Sequence, residues 1–294
     1  YDNETNPELE RMLVENGIVV YENVLSADLS TIPSFKKMMS TYTEADDEES
    51  WYKQLTLFDA VKQGGYEISW ISNQSATGVY DNIVTSFASL SDTLIWCGEK
   101  NLGMKKRDLD EIVIPTVQNH INAVGNGNRL WFIHLMGSHE GFAERYPDNY
   151  NVFRPDDYTD FSESQRGVRA AYDNSILYND MVVSEIIKSF KDSEAVIVYF
   201  SDHGLDIFDS DPAYFGHARK NDPASVKAAN HVPFIVYGTD EYKSNFEEDW
   251  TSIGACAGNR TSYNLENLIY TIMDLCNISL ADSTQMGPSL FDIN

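Results

Sequence analysis

Residues 195–204 read Ala195-Val196-Ile197-Val198-Tyr199-Phe200-Ser201-Asp202-His203-Gly204. Six largely apolar residues run without a break and then give way to a hydroxyl, a carboxyl, an imidazole and a glycine. A strand that is apolar on both faces needs cover on both faces, the condition of a parallel sheet packed between helices. The abrupt polar ending marks the carboxyl end of such a strand, where open α/β sheets collect their ligands. Four further runs fit the same pattern: Ile18 to Tyr21, Tyr66 to Ile71 after Gly64-Gly65, Leu130 to Leu135, and Val232 to Tyr237. Between them, Val168, Tyr172, Ser175, Asn179, Val183, Ile186 and Phe190 step by three and four along one side of a long helix. Pro7 to Asn16, closed by Gly17, and Asn264 to Cys276 read as helices too. Residues 141–165 lack periodicity and read as a long surface excursion. The expectation is one α/β sandwich over 1–294, its central sheet mainly parallel, with no repeat and no linker.

The chain has 294 residues, 42% hydrophobic and 23% charged, which excludes a disordered or low-complexity protein. Asp and Glu total 46 against 21 Lys and Arg, a net charge of −25. Such a balance excludes nucleic acid as partner, because there is no cationic surface to displace phosphate counterions. It also disfavours docking on anionic lipid. An anionic substrate would need a local cation, a metal or a helix N-terminus. No apolar run approaches the roughly 18 residues of a membrane span, and no signal peptide is visible. Three cysteines, Cys97, Cys256 and Cys276, are too few for a disulfide framework. A Cys256–Cys276 bridge in an oxidising compartment and three buried thiols both stay open.

Two strand ends carry histidine. The 195–200 run ends in Asp202-His203-Gly204, and the 130–135 run ends in Met136-Gly137-Ser138-His139. A carboxylate beside an imidazole suits zinc or manganese. An ordinary surface Asp-His pair is the plainer alternative. His217 follows in Phe215-Gly216-His217. His134 lies inside an apolar strand and reads as a hydrogen-bonded core histidine. His120 and His231 read as structural. Ser30, Thr31 and Ser34 lie at the start of a short helix expected over Ser34 to Ser40. A hydroxyl there, beside a dication, can be deprotonated and attack phosphorus or sulfur, and the helix N–H groups can cradle an anion. Ordinary N-capping is the alternative.

The ordered set of Trp70-Ile71-Ser72-Asn73-Gln74, Ile133 to His139, Arg145-Tyr146-Pro147, Tyr172-Asp173-Asn174-Ser175, Ser201 to Gly204 and Gly216-His217 resembles the alkaline-phosphatase-like superfamily. It is most similar to the phosphoethanolamine transferases of the bacterial envelope. The resemblance implies an alkaline-phosphatase-like αβα sandwich and a nucleophilic threonine that also touches the metal, at Thr31. It implies Asp202 and His203 as metal ligands. His139 and His217 would hold the phosphoryl group or a second metal, and Asn73 and Gln74 would contact substrate. The implied metal is zinc, with manganese or magnesium as alternatives. The implied reaction takes phosphoethanolamine from phosphatidylethanolamine, through a phosphothreonine, to an envelope glycan or lipid A. The implied location is the cytoplasmic membrane, with this domain on its periplasmic or extracellular side.

Thr31-Ile32-Pro33-Ser34-Phe35 stands where a sulfatase would carry Cys-x-Pro-Ser-Arg, so threonine replaces the formylglycine precursor and Phe35 the arginine. That argues against sulfate-ester chemistry. A phosphoglycerol transferase of the lipoteichoic-acid-synthase kind, a phosphodiesterase and a non-catalytic envelope module are the rivals. The family's first strand, with its glutamate metal ligand, and its membrane helices are expected upstream of Tyr1. Without that strand the sheet should carry unpaired edges, and metal binding should be incomplete. Ser75-Ala76-Thr77-Gly78 lacks the basic residue that some lipid A transferases carry, so the acceptor is open.

Overall fold

The structure is a computed structural model and describes residues 4–15, 17–45, 48–74, 82–98, 108–125, 127–257, 262–281 and 286–292. The Ser75–Gly78 stretch and residues 1–3 lie outside the described residues.

The chain opens with α1 (Pro7–Val14), β1 (Ile18–Tyr21), β2 (Val24–Leu25) and α2 (Thr31–Met38). Next come α3 (Leu57–Gln63), β3 (Glu67–Ser72), α4 (Asn82–Ala88), β4 (Thr93–Trp96), α5 (Val113–Ala123) and β5 (Arg129–His134). The second half has α6 (Glu163–Ser189), β6 (Val196–Phe200), β7 (Asp206–Ile207), β8 (Phe215–Gly216), α7 (Pro223–Asn230) and β9 (Phe234–Gly238). It closes with α8 (Asp240–Asn245), α9 (Glu247–Ala257), β10 (Tyr263–Asn264) and α10 (Leu268–Leu275). The five expected apolar runs are all strands. Residues 141–165 hold short 3-10 turns and the first turn of α6, but no strand. No helix among the described residues is long and apolar enough to cross a membrane.

Two three-stranded sheets form the centre, in orders β4-β3-β5 and β1-β9-β6. β3 pairs parallel with both neighbours, with Ser69 opposite Thr93 and Trp131. β9 runs antiparallel to both β1 and β6, so the sheet expected to be mainly parallel carries an antiparallel strand among its five apolar runs. A continuous apolar run reports burial on two faces and carries no information about strand direction.

Alternate residues of β5 and β6 enter the same two clusters. Leu130, Phe132, Val196, Val198 and Phe200 pack on the larger one, built around Phe58, Trp70 and Phe234. Trp131, Ile133 and Ile197 pack on the other, around Val117, Tyr178 and Val182. The two strands therefore share their faces, yet among the described residues β5 pairs only with β3 and β6 only with β9. Every residue of β5 and β6 is half-buried, whereas β3 is buried at every position after Glu67. Each of the two strands thus presents one edge with no strand partner among the described residues. Neither edge is blunted by proline or by an internal charge, the usual protection of a true edge strand. Cys97, Cys256 and Cys276 are free thiols, so the Cys256–Cys276 bridge is not formed.

Candidate active site

The carboxyl ends of β5 and β6 and the amino end of α2 bring the chemistry-bearing residues together. Ser30, in extended backbone (φ −159°, ψ 159°), occupies the N-cap of α2 but makes no side-chain capping bond. The helix starts three residues earlier than expected, so Thr31 is its first residue. Its hydroxyl turns to an imidazole, with Oγ1 3.3 Å from His203 Nε2.

His203 is 8% exposed, and its Nδ1 lies 2.9 Å from the Gly204 carbonyl. A carbonyl only accepts, so Nδ1 carries the proton and Nε2 of the neutral ring offers a bare lone pair. Asp202 Oδ1 accepts the His203 backbone N–H at 3.1 Å. Its Oδ2 lies 3.8 Å from His203 Nε2. No lysine or arginine pairs with Asp202 among the described residues. Carboxylate oxygen, bare imidazole nitrogen and hydroxyl oxygen thus converge with no cationic side chain between them. That donor set fits a divalent metal of the zinc or manganese kind. No group of three or more His, Cys, Asp or Glu side chains that could hold a metal ion occurs among the described residues; Asp202 and His203 are two such groups, beside the Thr31 hydroxyl.

The turn behind His203 is fixed by a close approach. Gly204 N–H donates to Ala229 O at 3.0 Å, and a Cβ on Gly204 would sit 2.5 Å from that oxygen. Gly204→Ala therefore has to displace the end of α7. We expect it to cost about 2 kcal/mol or more, read as a lowered thermal unfolding midpoint. Gly254→Ala, in an open position on α9, should leave the midpoint unchanged or raise it.

His217 stacks obliquely on His203, with ring centroids 4.8 Å apart. Its Nδ1 lies 3.4 Å from Glu140 Oε1. Burial lowers its pKa most; His203 and His139 lower it further, while Glu140 raises it. His139 is exposed, and its Nδ1 donates to the Glu140 carbonyl at 3.3 Å. Thr31, Asp202, His203, His217 and His139 thus form one constellation, with His139 at its rim.

Asn73 and Gln74 are used differently. Asn73 Nδ2 donates to Asp108 O at 2.9 Å and to Asp110 Oδ1 at 2.8 Å. Gln74 Nε2 donates to Leu135 O at 3.2 Å. Their amides tie the end of β3 to neighbouring chain, and no contact among the described residues joins either to the Thr31–His203 pair.

Sequence reasoning missed three supporting residues. Asp110 is 6% exposed; its two oxygens accept the N–H groups of Met136 (3.0 Å) and Gly137 (2.7 Å). They hold the turn that presents His139, where Gly137 has φ 58°. Arg145 is also buried and donates to the carbonyls of His139 (3.2 Å) and Glu140 (2.6 Å). Glu140 is the partner of His217. A lone Asp in so acidic a chain gives no signal in sequence. Arg145 stood in a quoted motif, without a role.

His134 is the expected core histidine. Its Nδ1 lies 3.0 Å from Ser72 Oγ, and its ring meets Phe35 and Trp70. Desolvation lowers its pKa from 6.5 to about 4, against a smaller opposing pull from Asp202. As pH falls through 6.5 the unfolded chain takes up this proton first, so stability declines until the folded pKa near 4 is passed. We expect a loss of roughly 2–3 kcal/mol over that interval. Unfolding midpoints measured down the acid range should show it, with a flatter slope in His134→Gln.

A family model described as sulfatase matches residues 1–278. The chain belongs to the sulfatase family. At the start of α2, Phe35 is 6% exposed and packed on Trp70 and His134, 6.5 and 5.8 Å between centroids. That position supplies a core ring and no guanidinium. The chain is 27% identical over 289 residues to phosphoethanolamine transferase EptC of Escherichia coli (strain K12), covering 95% of this chain and 48% of that protein. It spans about half the length of the curated relatives it matches. The C-terminal periplasmic domain of EcEptC from Escherichia coli, in complex with Zn, superposes with a TM-score of 0.84 at 24% identity. That match covers 99% of this chain and 80% of the other. The integral membrane protein lipooligosaccharide phosphoethanolamine transferase A (EptA) from Neisseria meningitidis gives a TM-score of 0.79 at 22% identity, covering all of this chain and 53% of the other. The alkaline-phosphatase-like sandwich is therefore the fold of this chain.

Proposed function

We propose that residues 1–294 form one domain, the catalytic domain of a membrane-anchored, metal-dependent phosphoethanolamine transferase that acts on the periplasmic side of the cytoplasmic membrane. The observation that carries this reading is the Thr31 hydroxyl 3.3 Å from the bare Nε2 of His203, beside Asp202. The likeness to EptC along 95% of the chain supports it, and the zinc in the EcEptC domain supports zinc as the metal.

Thr31, Asp202 and His203 would hold the metal. When bound, the metal supplies charge neutralisation and a lowered pKa at the Thr31 hydroxyl. Thr31 Oγ1 attacks the phosphorus of phosphatidylethanolamine; the bond from phosphorus to the glycerol oxygen breaks, and diacylglycerol leaves with a proton on that oxygen. A sugar hydroxyl of lipid A or another envelope glycan then attacks the phosphothreonine and restores Thr31. His217 and His139 face the oxygens of the transferred group. An arriving anion offsets the burial that lowers the His217 pKa, so His217 takes up a proton and donates to the phosphoryl oxygen. Asn73 and Gln74 contribute by shaping the ends of β3 and β5.

The fourth ligand, the glutamate of the family's first strand, would come from a segment N-terminal to residue 1. The open edges of β5 and β6 support a strand between them, which would end beside Asp202 and His134. Extending the chain upstream should raise its thermal midpoint by several degrees and its zinc affinity at least tenfold. An extended protein that matches residues 1–294 in both would remove the strand from the account.

The donor is tested by offering the full-length protein labelled phosphatidylethanolamine and phosphatidylglycerol side by side. Transfer from the ethanolamine lipid supports the reading. Transfer from the glycerol lipid alone would replace it with a phosphoglycerol transferase.

A further inference from the structure

Thr31 and His203 both hang on the end of α7. Asn230, the last residue of that helix, accepts the Ser26 backbone N–H on its carbonyl (2.9 Å) and the Ser26 hydroxyl on its Oδ1 (2.8 Å). Ala229 O accepts the Gly204 N–H at 3.0 Å and so fixes the turn behind His203. Between the Ser26 anchor and Thr31 lie Ala27, Asp28, Leu29 and Ser30. The helix that Thr31 opens has no side-chain cap to set how the chain enters it. Another constraint has to take the slack out of this stretch if the Thr31 hydroxyl is to stay 3.3 Å from His203 Nε2.

That constraint comes from the far end of the same helix. Lys37 stands in the last turn of α2. Helical side chains lean towards the helix N-terminus, so its long stem runs back along α2. Its ammonium donates to Ala27 O (3.3 Å), Asp28 Oδ2 (3.0 Å) and Glu44 Oε1 (2.7 Å), which uses all three of its protons. The side chains of Lys37 and Asp28 are only 8% and 10% exposed, whereas that of Glu44 is 79% exposed. The exposed contact adds little, so the grip is the buried pair and the carbonyl. On its other oxygen Asp28 accepts the Leu29 N–H at 2.7 Å, with Lys220 3.8 Å away. A buried ion pair contributes little net stability, because taking two charges out of water costs about as much as their attraction returns. What this pair supplies is geometry: it ties the last turn of α2 to the chain that feeds its first.

We infer that Lys37 and Asp28 are positioning residues that hold the Thr31 hydroxyl on His203. They act through the backbone of Ala27 to Ser30 and make none of the contacts of Thr31 itself. The inference rests on the reading of Thr31 as the nucleophile, and it adds the device that aims it. A displacement of about 1 Å at a reacting atom can cost on the order of a hundredfold in rate, so a small loss of grip should be visible in turnover before it is visible in stability.

The test is Asp28→Asn with Lys37→Met in the full-length protein. The double variant removes both charges together, so neither is left buried alone, and the asparagine keeps an acceptor for the Leu29 N–H. It should unfold within about two degrees of the parent. Its KM for phosphatidylethanolamine should stay within about twofold, while kcat falls roughly tenfold or more. In metal-stripped protein the parent should show a nuclear Overhauser contact between the Thr31 methyl group and the His203 ring, and the double variant should lose it. This contact needs no turnover. A parent that transfers no phosphoethanolamine would therefore sink the function proposed above, while the contact still decides the positioning. Lys62→Gln, which breaks an exposed pair with Asp92, should match the parent throughout. An undiminished contact in the double variant, a kcat within about twofold of the parent, or an activity loss that only follows a lowered midpoint would overturn the inference.

Discussion

Thr31→Ala should lower phosphoethanolamine transfer by the full-length protein by roughly a thousandfold or more, because it removes the atom that forms the covalent intermediate. The structure makes this loss specific to chemistry. Thr31 is half-buried at the first turn of α2, and its one side-chain contact of note is the 3.3 Å approach to His203. The helix has no side-chain cap to lose, so the variant should melt within a degree or two of the parent. Thr31→Ser keeps an oxygen in place and should retain measurable transfer. Steady-state transfer rates and unfolding midpoints on the three proteins check this. Strong transfer by Thr31→Ala would remove the residue from the mechanism.

The second large effect is at Asp202. Asp202→Asn keeps the shape of the side chain and its acceptor for the His203 N–H, but removes the only full negative charge in the donor set. Zinc affinity of the full-length protein should fall by on the order of 100-fold or more, since charge and a ligating oxygen are lost together. The same substitution takes away the carboxylate that opposes the lowered pKa of His134. His134 should then titrate lower still, an effect visible by NMR on its ring. Zinc titration by calorimetry reads the first effect. An unchanged zinc affinity would mean that the Asp-His pair is not the metal site.

Much of the scaffold was legible because it rests on periodicity. The 195–200 run announced β6, and the polar break after it announced the site. α6 followed from apolar residues stepping by three and four. Direction was not legible: Val232 to Tyr237 reads like its neighbours but runs antiparallel to them as β9. Nor was it legible that β5 and β6 pair with different neighbours, since neither strand's own residues name its partner. At the site, Asp202, His203 and His217 were legible as histidine-bearing strand ends. Thr31 was ambiguous, because a hydroxyl before a helix is ordinarily a cap; its 3.3 Å distance to His203 supports the reading proposed for it. Asn73 and Gln74 came only with the resemblance; their amide N–H groups donate to Asp108, Asp110 and Leu135, while the buried Asn73 Oδ1 has no hydrogen-bond partner among the described residues. Asp110 acts across 26 residues on Met136, and no local pattern encodes such a contact.

The central claim is that Thr31 carries the transferred group. Full-length protein incubated with zinc and phosphatidylethanolamine, quenched in acid before acceptor is added, can be digested and read by mass spectrometry. The account predicts a peptide bearing phosphoethanolamine on Thr31, discharged when acceptor is supplied and absent from the Asp202→Asn variant. Modification on a different residue, or turnover with Thr31 never modified, would contradict it.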